Sequence, residues 1–321
     1  MVLIGSRALA LRAPHLLQRS PLDFDFICSR DEYEVWMKEH SDKVKPTEVY
    51  PILDGAKMIV KGDSILEFEF IEPGSSNQLL AQLVKDDPET LDAGAFGKVP
   101  CLDLLFAIKS SHRFKKFKDN PMVFWKTALD RRMMLDAGAK IRDEHQAFFK
   151  LREKESYAAQ KHPKLNQSKE AFFSDNGLES VMVYDHDDLH KAVALYDRPA
   201  YTYYLKDNEP VLTDKAKFFN CSRDIQLAGV CEEALTLALE RSLVPKPGVW
   251  SPDYAFRFAL AKVCTSITSG FFREFAHTNV FETMRLYEEK GKDYHSKFKR
   301  AAAEGRVRPF SGSQYPTKED Q

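Results

Sequence analysis

Two aspartates, Asp23 and Asp25, stand at i, i+2 in the run "DFDFI" close to the start of the chain. On a strand, successive side chains alternate between faces, so both carboxylates project to one side while Phe24 and Phe26 anchor the other. A second run of the same design, "SILEFEFIE", puts Glu67 and Glu69 on one face and Leu66, Phe68 and Phe70 on the opposite one. If the two strands are neighbours in one sheet, three or four carboxylates meet at one spot. Hard divalent cations such as Mg²⁺ take oxygen ligands, and a pair of them can clamp both reacting oxygens of an in-line phosphoryl displacement. Ahead of the first acids the chain reads "VLIGSRALALRA", an apolar run, a Gly5-Ser6 turn and a short helical segment. Glycine permits close backbone approach, and a serine hydroxyl with helix N-terminal amides can cradle phosphate. A lone acidic pair at i, i+2 is most often the solvent face of a strand. The combination is what points to chemistry.

Positive charge follows the acids. Between Lys109 and Arg132 there are eight basic residues against two acids, Asp119 and Asp130, in a chain whose formal net charge is -1. A triphosphate or a nucleic-acid backbone needs such charge beside a metal site. Lys109, His112 and Arg113 fall at i, i+3, i+4 and share a face if this segment is helical. The bland reading is a solvated basic face. Phe124 and Trp125 lie between the charges and could stack a base, although core packing is the ordinary role of such residues. Further on, "VYDHDDLHKAV" sets His186 and His190 at i, i+4, the spacing of zinc-binding helix pairs. No glutamate follows the first histidine, which excludes a metalloprotease. This pair is a secondary candidate site against the plainer reading of a helix start capped by Asp185.

The elements that must position these residues read as follows. "MVLIG" is a buried strand, "SRALALRA" a short helix ended by Pro14, "DFDFIC" a strand and "DEYEVWMKEH" a helix. "KMIVKGDSILEFEFIE" is a hairpin turning at Gly62-Asp63. "PCLDLLFAIKSSHRFKKF" is helical with Pro100 in its first turn, and "PMVFWKTALDRRMMLDAG" is a second helix closed by Gly138. Beyond these the pattern is mainly helical, as in "SRDIQLAGVCEEALTLALERSLV" and "DYAFRFALAKVCTSIT". The fold class is therefore α+β, a mixed sheet with flanking helices followed by a mainly α-helical C-terminal region.

Composition limits the alternatives. At 321 residues, 43% hydrophobic and 30% charged, the chain has a globular core. The balanced charge excludes a surface built throughout for nucleic acid. Five scattered cysteines without a CxxC pair suggest neither a disulfide framework nor a thiolate zinc site, and fit a reducing cytoplasm. No signal peptide and no membrane-length apolar run is expected.

The strand, Gly-Ser, helix, Asp-x-Asp and later acidic strand together resemble the nucleotidyltransferase superfamily that includes DNA polymerase beta, the CCA-adding enzymes and the small antibiotic nucleotidyltransferases. The flavour is closest to abortive-infection toxin nucleotidyltransferases, through Gly5, Ser6, Ala8, Leu9, Leu11, Arg19, Ser20, Asp23 and Asp25. The chain departs from that pattern in its longer Ser6–Asp23 spacing and in a glutamate as third acid. It also resembles bacteriophage proteins, which adds no activity. The resemblance implies that Gly5 and Ser6 hold a triphosphate, that Asp23, Asp25 and Glu67 bind Mg²⁺ or Mn²⁺ and are catalytic, with Glu69 the fallback for Glu67, and that Lys109, then Arg113 and Lys126, contact phosphate. It implies a catalytic domain over residues 1–98, a basic helical segment over 99–160 completing the nucleotide site, a helical substrate or partner domain over 161–305 and a flexible tail over 306–321. The expected activity is transfer of a nucleoside monophosphate from an NTP such as ATP to an acceptor. An RNA or tRNA end bound by the basic helices 109–132 is favoured over a small molecule or a protein. The alternative is a non-catalytic nucleotide- or nucleic-acid-binding module of the same fold.

Overall fold

A computed structural model of the chain describes residues 1–40 apart from 18, strand backbones at 45–52 and 55–61, and residues 65–158 apart from 116, 118 and 119. In the C-terminal half it describes residues 215–234 apart from 225 and 232, and 252–266 and 270–289. His186, His190, the Gly62-Asp63 turn and the tail over 306–321 lie outside the described residues. The chain divides into two compact units, residues 1–115 with 126–160, and residues 116–125 with 161–321.

The first unit is a mixed sheet with helices. The strands are β1 (Val2–Ile4), β2 (Asp23–Cys28), β3 (Lys45–Ile52), β4 (Gly55–Lys61), β5 (Ile65–Phe70), β6 (Leu91–Asp92) and β7 (Lys98–Val99), in the order β3-β4-β5-β2-β1-β7-β6. Its helices are α1 (Gly5–Arg12), α2 (Arg30–His40), α3 (Ser76–Asp86), α4 (Leu102–Ser111) and α6 (Gln146–Ala158), together with α5 (Met122–Asp136) from residue 126 onward. The two acidic strands are direct neighbours: β2 pairs in parallel with β5, and antiparallel with β1 on its other side. A strand in the middle of a sheet, covered on both faces, needs a continuous apolar run. The second half of β2, Phe26-Ile27-Cys28, supplies it and is fully buried, while Asp23, Phe24 and Asp25 at the other end are half-buried. Packing beneath β2 and β5 is aromatic: Phe68 stacks on Phe26 at 5.3 Å between ring centres and meets Tyr33 and Trp36 of α2 at 5.1 and 5.2 Å. Helix α4 is itself buried through Leu104, Leu105, Phe106, Ala107 and Ile108.

Four local features differ from the sequence reading. Strand β3 was not expected, because Pro46 and Pro51 argue against a strand; it lies at the sheet edge, where a missing N–H interrupts no further ladder. Helix α3, with the Ser75 hydroxyl accepting from the Gln78 amide as N-cap, was not expected either. Helix α4 starts at Leu102 with Cys101 as N-cap, so Pro100 precedes the helix rather than opening it. It ends at Ser111, so Arg113 lies beyond the helix and the expected shared face with Lys109 is not formed. The Ser110-Ser111-His112 run favours an end there, and the Arg113 guanidinium takes the Ser110 carbonyl at 2.9 Å.

The second unit is described by its helices alone, α7 (Lys215–Asn220), α8 (Pro252–Ser266) and α9 (Gly270–Thr278), with further helical residues at 226–231 and 280–289. Phe218, Phe256, Phe258 and Phe272 fill its core, and Phe256 stacks on Tyr287 at 3.6 Å. No helix among the described residues is long and apolar enough to cross a membrane.

Phe68 has no exposed surface and joins the sheet to α2. Phe68→Ala is expected to cost about 3–5 kcal/mol by leaving a cavity that three rings cannot close. Equilibrium denaturant unfolding measures that cost.

Candidate functional site

Strand register decides which acids meet. Across the parallel pair Asp25 lies opposite Glu67, Asp23 opposite Ile65 and Ile27 opposite Glu69. On the other side Asp25 lies opposite Ile4, the last residue of β1. The chain then turns at Gly5, which has a φ of 70° and begins α1. A Cβ at Gly5 would stand 2.0 Å from Asp25 Oδ2, an impossible approach. Glycine is required here twice, by backbone conformation and by the carboxylate lying against it.

The electrostatics follow from this crowding. Asp25 is pushed up to about 7, first by burial, then by the charges of Asp23 and Glu67, and by a hydrogen bond shared with Glu67. Two carboxyl groups can share a hydrogen bond only if one carries a proton. Asp23 Oδ1 is buried with no hydrogen-bond partner, which is costly unless something else supplies positive charge. An orphaned carboxylate oxygen, a proton held near neutrality and an all-oxygen donor set are what a hard cation would satisfy. Among the described residues no three His, Cys, Asp or Glu side chains stand in a ready metal-holding arrangement. A cation held between Asp25 and Glu67 would displace the proton that they share. Glu69 is engaged elsewhere, on Arg152 at 2.6 Å.

The other half of the site is built around a buried acid. Asp130 of α5 is 2% exposed and takes two cations on one oxygen, Arg19 at 2.7 Å and Lys109 of α4 at 3.0 Å. Arg19 also donates to the Ser6 hydroxyl at 2.6 Å. Ser6 thus sits at the start of α1 on Arg19, one of two cations that share a single anion. Ile4, the N-cap of α1, offers no side-chain hydrogen bond to the first-turn amides. Helix N-terminal amides of this kind, together with net positive charge, suit a phosphate.

The structure thus brings Gly5, Asp23, Asp25 and Glu67 to one strand end, and links Ser6 to Lys109 through Arg19 and Asp130. Arg113 points into different company: it pairs with Glu153 of α6 and lies 4.4 Å over the Phe114 ring. Lys126 is half-buried on α5, one turn before Asp130. Phe124 is buried and meets Trp125 edge-on at 5.2 Å, a packing role. The basic run is partly self-neutralised, since Lys109, Arg113 and Arg132 each pair with an acid. Sequence reasoning gave no role to Arg19 or to Asp130. The available signal was an acid, Asp130, one turn from the apolar Met134 on a helix otherwise rich in arginine and lysine.

Residues 104–296 match a family described as a domain of unknown function, DUF7275, and residues 1–85 match a second, DUF7277. No curated protein and no solved structure matches the chain.

Two outcomes follow from the crowding. Gly5→Ala is expected to destabilise the protein by more than about 2 kcal/mol, since both φ and the Asp25 contact oppose it, and thermal melting against wild type reads this. The second concerns pH. Native Asp25 holds its proton up to about pH 7 while the unfolded chain releases it near 3.8. Its contribution to stability is therefore present below pH 3.8 and lost as pH rises through 7. Asp25→Asn, measured without divalent ions, should raise the melting temperature relative to wild type more at pH 8 than at pH 4. An equal shift at both values would mean that Asp25 is ionised throughout.

Proposed function

Starting from a chain that belongs to the DUF7275 family, whose description carries no activity, we propose that it is a Mg²⁺-dependent nucleotidyltransferase, moving a nucleoside monophosphate from an NTP to an acceptor. The observation that carries this reading is Asp25 facing Glu67 across parallel strands, with Asp23 beside it and Gly5 beneath. Burial first, and then the neighbouring charges of Asp23 and Glu67, lift Asp25 to about 7, and a divalent ion would relieve the repulsion among these carboxylates. When bound, the ion would polarise the α-phosphate and lower the charge repulsion between triphosphate and carboxylates.

The chain's own groups then have distinct tasks. Asp23, Asp25 and Glu67 hold the cation. The first-turn amides of α1 and the Ser6 hydroxyl cradle phosphate oxygens, and Lys109 and Arg19 balance their charge, both steered by Asp130. The acceptor oxygen forms its bond to the α-phosphorus as the bond to pyrophosphate breaks, and its proton passes to the carboxylate of Glu67 or Asp25. An RNA end is the favoured acceptor, with the basic residues between 109 and 132 proposed to meet its backbone. A cytoplasmic location accords with five free cysteines. The alternative is a nucleotide- or nucleic-acid-binding module of the same fold without transfer. It draws on the glutamate as third acid and on the long spacing between Ser6 and Asp23.

Incubation with each α-³²P-labelled NTP, Mg²⁺ and total cellular RNA should give label transfer that Asp23→Asn/Asp25→Asn abolishes. Mg²⁺-dependent NTP binding by calorimetry without transfer to any acceptor would favour the module, and no binding at all would remove both readings. In the same titration Ser6→Ala and Lys109→Ala are expected to weaken NTP binding by about 1–3 kcal/mol each. A thermal melt separates lost affinity from lost fold.

A further inference from the structure

Strand β5 presents two glutamates, Glu67 and Glu69, on the same face, roughly 6.6 Å apart along the strand. Either side chain is long enough to swing toward Asp25, and together with Asp23 they would place four carboxylates in one half-buried cleft. Something must separate them. Arg152 of α6 is 6% exposed and does so with a divided guanidinium. Its Nη2 binds Glu69 Oε2 at 2.6 Å, and its Nη1 donates to Asn77 Oδ1 at 2.8 Å. Asn77 is buried at the start of α3 and donates in turn to the Phe70 carbonyl at 2.9 Å, so the clamp reaches the last residue of β5. One turn on, Glu155 accepts from the Ser76 amide at 2.9 Å and from the Ser76 hydroxyl. Helix α6 thus grips the junction of β5 and α3 at two places.

A guanidinium buried this far is costly unless its partners are well placed, and packing alone could be met by an apolar residue. We infer that Arg152 is the positioning residue that decides which glutamate of β5 serves the carboxylate cluster: by holding Glu69 against α6 it leaves Glu67 alone to face Asp25. The inference rests on the reading of Asp23, Asp25 and Glu67 as a cation site. It goes further in making α6, alongside the strand register that sets Glu67 opposite Asp25, a determinant of which glutamate serves the cluster. Removal of Arg152 frees Glu69 to act as a ligand, so the lesion has a gain as well as a loss.

The probe is Mn²⁺ alone, titrated by electron paramagnetic resonance, with every variant shown folded by circular dichroism. Glu67→Gln should weaken Mn²⁺ binding by about tenfold or more. Glu67→Gln/Arg152→Met should recover most of that loss, because Glu69 replaces the missing ligand, and adding Glu69→Gln should abolish the recovery. Glu67→Gln/Arg152→Lys keeps the counter-charge and should show no recovery. A purely structural Arg152 could not restore binding by its removal. If Glu67→Gln weakens binding and Arg152→Met recovers none of it, the positioning role is overturned while the cation site stands. If Glu67→Gln leaves Mn²⁺ binding unchanged, or wild type binds none, the cation site falls and the inference with it. Should the methionine variants fail to fold, Glu67→Gln/Glu69→Gln in the presence of Arg152 still decides. Binding equal to that of Glu67→Gln alone supports the inference, and a further large loss shows that Glu69 reaches the ion despite Arg152 and overturns it.

Discussion

Asp25 is pressed between the bare backbone of Gly5 and the carboxyl of Glu67, and much of the first unit is arranged around that contact. The repulsion is built in by topology. A parallel β2–β5 pair in this register places the two acids opposite each other, and the antiparallel β1 delivers Gly5 beneath them. The apolar half of β2 and the rings around Phe68 fix the register, since a slip by one residue would turn Phe26 and Phe68 out of the core. Aromatic packing on the opposite face of the sheet is thus what forces the carboxylates together, and stability is given up locally for a site that favours positive charge.

The half proposed to hold phosphate rests on the opposite arrangement. Asp130 is a buried acid that two cations reach on a single oxygen, so a net positive charge remains beside the Ser6 hydroxyl and the open N-terminus of α1. Buried acids are tolerated only when paired, and here the pairing draws Arg19, Lys109 and Ser6, which are far apart in sequence, into one network. The two halves are complementary: one lacks positive charge, the other has it in excess, and on the proposed reading a nucleoside triphosphate with its divalent ion would supply both deficits.

The strands that carry the acids were legible because alternation, Gly-Ser and Asp-x-Asp are local signals with a period of two. The parallel neighbouring of β2 and β5 could be stated only as a condition, since nothing local specifies which strands pair. The roles of Asp130 and Arg152 were not legible for the same reason: each looks like an ordinary helix charge until its partner, about twenty to over a hundred residues away, is known. Strand β3 was hidden by two prolines that an edge position tolerates. Conversely, the basic run looked stronger in sequence than it is in space, because Arg113 and Arg132 are matched by Glu153 and Asp136.

A crystal grown with Mn²⁺ and a non-hydrolysable NTP analogue, with anomalous data collected at the manganese edge, tests the central claim most directly. The expected result is an anomalous peak at coordination distance, roughly 2.0–2.3 Å, from carboxylate oxygens of Asp23, Asp25 and Glu67, with the triphosphate against Ser6 and the start of α1. A nucleotide bound with no ion between those carboxylates, or an ion bound anywhere else on the protein while this cluster keeps its shared proton, would contradict it.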